Sequence, residues 1–210
     1  MPQAVLLEPH YFPSLEYFSA LREKKLDLVY IDVHTHYEKQ SYRNRCYILN
    51  ASGVHLLSVP IQHAHRKIIF KDVKIDYTHH WLQIHWRSIV SAYGKAPFFI
   101  HYADEIHEVL YRKHTFLIDL NVDILIMCFK QLGFHMSIFL SEYYINKKDC
   151  PDYRSQIHPK KKYDDNYIYF PYPYIQLFGS EFIPNLSILD LLFCEGNNAL
   201  SVLDKSVQRV

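Results

Sequence analysis

This chain of 210 residues predicts an α/β fold, a mixed or parallel sheet flanked by helices with a Rossmann-like βαβ start. Three observations carry that expectation. The apolar runs Ala4-Val5-Leu6-Leu7 and Leu28-Val29-Tyr30-Ile31 bracket a stretch in which Leu15, Phe18 and Leu21 fall on one helical face, and strand, helix, strand at this spacing is a βαβ pattern. Further on, Phe116, Leu120, Ile124, Met127 and Cys128 recur at the 3.6-residue period. The composition is that of a folded globular chain: 49% hydrophobic, with only five Gly against 18 Tyr and 13 Phe. Without an internal repeat or a Pro/Gly/Ser linker, residues 1–210 read as one domain with one sizeable core.

The elements follow in order. The first apolar run is a buried strand closed by Pro9. Glu8-Pro9-His10-Tyr11-Phe12-Pro13 is a rigid turn, because each Pro fixes its own φ and pushes its predecessor towards extended geometry. Ser14 is placed to cap a helix to about Lys25. The second strand ends at Asp32. In open parallel sheets the loops at the strands' carboxyl ends form the ligand crevice, which sets Glu8 to Tyr11 beside Asp32 to Lys39. Asn50-Ala51-Ser52-Gly53 is a turn, Val54 to Pro60 a strand, and Val73 to Asp76 alternates as a half-exposed strand does. Helices are expected from Thr78 to near Gly94, from Pro97 to about Arg112, and from Thr115 to Leu132 with Gly133 as the stop. Ile138-Phe139-Leu140 reads as a last buried strand, and the polar stretch from Asn146 to Asp165 as a long loop. Asn185 or Ser187 caps an apolar helix stopped at Gly196, and Ala199 to Lys205 is a final short helix.

A formal net charge of +1 excludes a strongly electrostatic DNA or RNA binder. Lys160-Lys161-Lys162 lacks interleaved stacking aromatics, so it reads as a solvated loop and nucleic acid is not an expected partner. Cys46, Cys128, Cys150 and Cys194 are scattered, signalling neither a disulfide framework nor a zinc knuckle. The start lacks a basic region followed by a long apolar core, and Ile124 to Phe129 is too short to span a bilayer. The expectation is a cytoplasmic protein without membrane insertion; no cofactor is called for, and nothing sets an oligomeric state.

Chemistry concentrates between Tyr37 and Ile48. Lys39, Arg43 and Arg45 place three cations within seven residues, among Tyr37, Tyr42 and Tyr47. A guanidinium fork matches carboxylate or phosphate geometry, so the stretch suits an anionic group; the alternative is a solvated basic loop.

From here the chain resembles the WbqC-like protein family. The resemblance rests on Pro9-x-Tyr11-Phe12-Pro13, on Tyr37-x-Lys39-x-Ser41 with Asn44-Arg45, and on Val59-Pro60. It continues through Trp81 with His85-Trp86, then Ala92-Tyr93-x-Lys95-x-Pro97-Phe98-Phe99-x-x-Tyr102, then Leu117-x-x-Leu120-Asn121. Tyr174-x-Gln176-x-Phe178 and Phe182-x-Pro184-Asn185 through Phe193 complete it. The resemblance implies a group transferase of surface-polysaccharide (O-antigen or lipopolysaccharide) biosynthesis, moving an acyl, aminoacyl or glycyl group to a nucleotide-linked amino sugar. The alternative is a non-catalytic nucleotide- or anion-binding accessory protein. This chain departs from the family pattern at Glu8, where relatives commonly have Gln, and at Ser14 and Glu16, in place of Trp and Gly. His34-Thr35-His36 is also atypical.

With that resemblance the anion clamp narrows to Lys39, Asn44 and Arg45, holding the diphosphate of a nucleotide or nucleotide sugar. Asp32 and Glu8 are the candidate acid/base groups, since amide formation on an amino sugar needs a base to take the ammonium proton; the alternatives are a helix cap or an ion pair with Lys39. Tyr11, Tyr93, Lys95 and Tyr102 either line the same cleft or pack in the core. His34-x-His36 and His63-x-His65 have a spacing seen in zinc sites, but no third ligand is evident and metal is not expected. Cys46 beside Arg45 is either an activated thiol or a buried small hydrophobe.

Overall fold

The structure, a computed structural model, describes residues 3–22, 26–63, 67–145, 150–165 and 168–207. Strand β1 (Ala4–Leu7), helix α1 (Leu15–Arg22) and strand β2 (Leu28–Ile31) form the expected βαβ start, with β1 parallel to β2 and Leu7 opposite Ile31. A third parallel strand, β5 (Ser137–Leu140), pairs on the far side of β2. Strands β3 (Arg45–Asn50) and β4 (Gly53–Ser58) form a separate antiparallel hairpin around the anticipated turn, where Asn50 pairs with Gly53. The fold is therefore mixed α/β, its main sheet parallel and flanked by helices α2 (Trp81–Tyr93), α3 (Phe99–Tyr111), α4 (Leu117–Leu132), α5 (Ile188–Glu195) and α6 (Ala199–Lys205).

Packing explains these elements. Helix α4 buries side chains around most of its circumference, from Leu117 and Ile118 to Phe129 and Leu132, because it lies against α3 and the 3₁₀ turn at Phe70–Asp72. Its Gly133 stop is a left-handed cap at φ +68°, with the Phe134 amide bonded to the Phe129 carbonyl. The hairpin packs on α2 and α5, and α1 on α6.

Several expectations change. Val73 to Asp76 is not a strand: Lys74 and Ile75 make isolated bridges to Phe116 and Ile61. Ile138 to Leu140 is a strand but not a buried one, because β5 is the sheet edge and leaves Phe139 and Leu140 half exposed. Helix α2 starts at Trp81 rather than Thr78, whose amide is taken by the Asp76 carboxylate. Asn185 caps across the chain: it accepts from the Glu16 amide at the start of α1, the role expected of Ser14, and returns a bond to the Glu16 carboxylate. Ser187 caps α5. Phe12, expected to be extended before Pro13, has φ +40° and is fully buried against Tyr11. Core packing overrides the local preference there. The Lys25 end of α1 and His65 lie outside the described residues.

Candidate functional site

Three neighbouring parallel strands each end on a polar side chain. Glu8 follows β1, Asp32 follows β2 and Ser141 follows β5, each one residue beyond the last paired position. The Asp32 amide donates to the Leu7 carbonyl and the Ser141 amide to the Ile31 carbonyl, so pairing continues past the strands and holds the three groups side by side. Ser141 Oγ accepts from the Val33 amide and donates to the Asp32 carboxylate at 3.3 Å. This is the carboxyl end of a parallel sheet, the place where open α/β sheets form a ligand crevice, and here Glu8, Asp32 and Ser141 are all buried.

The basic stretch enters this crevice through Arg43. Its guanidinium donates to both Glu8 carboxylate oxygens, at 2.7 and 3.3 Å, to the His36 carbonyl at 2.7 Å and to Thr35 Oγ1 at 3.0 Å, and it lies over the Phe70 ring. Side-chain exposure is 2% for Arg43 and 4% for Glu8, so the pair is dry. Burial alone would push the Glu8 carboxyl up. The charge and hydrogen bonds of Arg43, helped by His10 and Ser155, outweigh that and hold it below the ordinary value of 4.5. Asn121 of α4 fixes the arrangement: its amide donates to the Arg43 carbonyl at 2.8 Å and the Pro9 carbonyl at 3.3 Å, tying both loops to the longest helix.

A second guanidinium arrives from the stretch expected to be a plain loop. Backbone bonds of Pro151 and Tyr153 to Leu6 lay residues 151–153 along the free side of β1. Arg154 then forks onto Asp152 and bonds Asp32. Ser155, at φ +58°, donates to Glu8 at 3.3 Å. His158 lies in the same segment. Its Nδ1 accepts from the Lys160 amide at 3.2 Å, which leaves the proton on Nε2. That Nε2 is buried without a hydrogen-bond partner and stands 3.6 Å from Glu38 Oε1, too far for a bond. His10, beside Glu8, stacks obliquely on Tyr17 and Tyr42. Burial drives its pKa down to about 3, so it stays neutral and is a poor proton acceptor near pH 7.

The structure brings Glu8 and Asp32 together and distributes the other residues proposed from the sequence. Asp32 pairs with Arg154, not Lys39. Lys39 is exposed on the loop before Arg43. Asn44 is buried, donating to the Val59 carbonyl at 2.8 Å. Arg45 is half buried at the start of β3, with Nε unpartnered. Tyr11 hydrogen-bonds His85 Nδ1 at 2.9 Å in the core. Tyr102 is buried on α3, and Lys95 is exposed just after α2. His34 sits in a bend and His36 in an isolated bridge to Ile69 rather than on one strand, and among the described residues no three His, Cys, Asp or Glu side chains converge to hold a metal ion. Cys46 is a buried thiol whose pKa rises through burial, the opposite of activation by Arg45.

Tyr93 belongs to another network. Its hydroxyl donates to Asp190 Oδ1 at 2.9 Å, while Tyr174 and Gln176 donate to Oδ2 at 2.6 and 2.9 Å. Gln176 also holds both backbone groups of Ile183. Burial raises the Asp190 pKa, opposed by these three donors. Asp190→Asn keeps the shape but turns an amide –NH₂ towards donors, and is expected to cost about 1–2 kcal/mol by urea unfolding at pH 7. Because the folded-state pKa of Asp190 is raised, wild-type stability increases as pH falls through it while the Asn variant does not titrate there, so the gap is expected to widen on acidification.

Arg154, Ser155, His158 and Ser141 were not singled out from the sequence. Their only signal is position after short extended segments, which is visible once Tyr153 and β5 are seen beside β1 and β2.

Comparison with known proteins adds to the geometry. A model of the WbqC-like protein family matches residues 8–160 and 142–202. Rv1507c of Mycobacterium tuberculosis, an uncharacterized protein, is 28% identical over 229 residues, covering 95% of this chain and 96% of its own length. No solved structure matches.

Proposed function

The chain belongs to the WbqC-like protein family, and on that premise we propose that it is a group transferase whose substrate sits at the carboxyl ends of β1, β2 and β5. The transferred group is an acyl or aminoacyl unit and the acceptor a nucleotide-linked amino sugar of surface-polysaccharide assembly. The observation that carries this reading is the convergence of Glu8, Asp32 and Ser141 at three adjacent strand ends, with His158 within electrostatic reach of Glu8 and its Nε2–H without a hydrogen-bond partner. An acyl oxygen gaining negative charge in the transfer is an acceptor for that donor. Asp32 and Glu8 are the acid/base groups of this scheme, and Arg45, with Lys39 and Asn44 beside it, meets the diphosphate.

A second reading, an accessory protein that binds without turnover, draws on the pairing of Glu8 with Arg43 and of Asp32 with Arg154, which leaves neither carboxylate idle. Incubation with nucleotide-linked amino sugars and acyl or aminoacyl donors, followed by mass spectrometry, separates the two. A mass gain on the sugar supports transfer; binding with no new product supports the accessory reading. Arg45→Ala is expected to weaken nucleotide-sugar binding by about 1.5–3 kcal/mol, the worth of one charged hydrogen-bonding group, in calorimetric titration of a folded variant.

A further inference from the structure

A separate cavity of about 590 Å³ opens at the start of α2, within the range of small-molecule sites and sharing no lining residue with the strand-end crevice. Its charges come from Lys74 and Lys113, and no carboxylate is among its lining residues. His80 and Gln83 bring the first turn of α2 to its wall. That 13-residue helix has no side-chain cap and no acidic residue in its first turn, so the positive end of its dipole is not neutralised locally. The rings of Tyr77, packed on Trp81, and Tyr111 also line the cavity. Tyr77 is fixed by a 2.9 Å bond from its hydroxyl to the His114 carbonyl. His114 lines the cavity too: its Nε2 is held by Asp123 at 2.8 Å, and its Nδ1 is buried without a hydrogen-bond partner. Asp123 is shared with Arg112, and Asp76 turns its carboxylate to the Thr78 amide, so the nearby acids are engaged elsewhere.

Lysines, an uncapped helix start and tyrosine rings on the walls suit a ligand with a phosphate at one end and a ring at the other. We infer that this cavity is a second site, binding a small phosphate-bearing anion with an attached ring. It stands on the cavity alone and would hold whether or not the strand-end crevice performs transfer.

The test is calorimetric titration of the full chain with UDP and with inorganic pyrophosphate at low ionic strength. In Arg45→Ala, which removes the clamp proposed at the other site, UDP is expected to bind still, with a stoichiometry near one. Adding Lys74→Gln and Lys113→Gln is expected to weaken that binding at least tenfold, with circular dichroism unchanged because both lysines are exposed. Pyrophosphate is expected to follow the same pattern with lower affinity, since it lacks the ring. The inference is overturned if the wild type binds neither probe, or if the lysine substitutions leave affinity unchanged. It is overturned as well if Arg45→Ala alone abolishes binding, an outcome that would place the anion at the Arg45 clamp and leave the proposed function standing.

Discussion

Arg43→Met is expected to destabilise the protein by about 3–5 kcal/mol, the cost of stranding one charge of a buried pair. Arg43 is the largest of the fully buried side chains, and Glu8 has it as its bidentate partner. Met keeps most of the volume and the contact with Phe70 but removes every donor, which also strands the His36 carbonyl. The pH dependence identifies the cause. In the wild type the Glu8 pKa is lowered, so its contribution is complete above the ordinary value of 4.5 and is lost as pH falls through the lower folded value. In Arg43→Met burial acts unopposed and raises that pKa, so protonation relieves the variant. The difference in urea unfolding free energy should therefore be largest at pH 7 and shrink on acidification. Glu8→Gln placed in the Arg43→Met background should recover part of the loss, read as a double-mutant cycle. A deficit of the same size at every pH would mean that packing, not the stranded charge, is responsible.

On the proposed transferase reading, His158→Ala is expected to lower kcat by about 10²–10³, the effect of removing one donor to a developing oxyanion. The argument rests on the tautomer. The Lys160 amide occupies Nδ1, so Nε2 carries the proton and lies buried 3.6 Å from Glu38 without a hydrogen bond of its own. Burial lowers the His158 pKa, opposed by Glu38 and Glu8, which keeps the neutral, donating form in place near pH 7. Unfolding free energy is measured alongside, since His158 also gives up its buried packing, the Lys160 amide bond and its proximity to Glu38. His158→Gln can return an N–H to the same region, and partial rescue of kcat with KM unchanged distinguishes a donor from a spacer. Equal turnover by wild type and His158→Ala would remove this residue from the mechanism. On the same reading Arg154 and Ser155, which bond Asp32 and Glu8, would act as positioning residues.

How legible each feature was depended on the range of the interaction behind it. The βαβ start, the α4 pattern with its Gly133 stop, the Asn50–Gly53 turn and the final helix at Ala199–Lys205 could all be read in the sequence. Each follows from side-chain periodicity or backbone preference within a few residues. The rule that strand ends make the crevice placed Glu8 beside Asp32 correctly in space. The errors share one origin. Asn185 caps a helix 169 residues away, Arg154 crosses 122 residues to Asp32, and Phe12 takes φ +40° under packing from elsewhere. Val73 to Asp76 has strand-like alternation but no continuous partner strand, and β5 has the composition of a buried strand but lies at an edge.

The basic stretch shows the same division. By itself the sequence determined that cations and tyrosines cluster between Tyr37 and Ile48, that they follow the second parallel strand, and that the pattern is WbqC-like. Only the tertiary structure decided which cation goes inside. Arg43 is buried on Glu8, Lys39 is left in solvent, and Arg45 stands between the two. Charge spacing along a chain is local, but the burial of a charge depends on whether a counter-charge arrives from elsewhere. For Arg43 that partner is a carboxylate at the end of β1, put there by sheet pairing and held by Asn121 of α4.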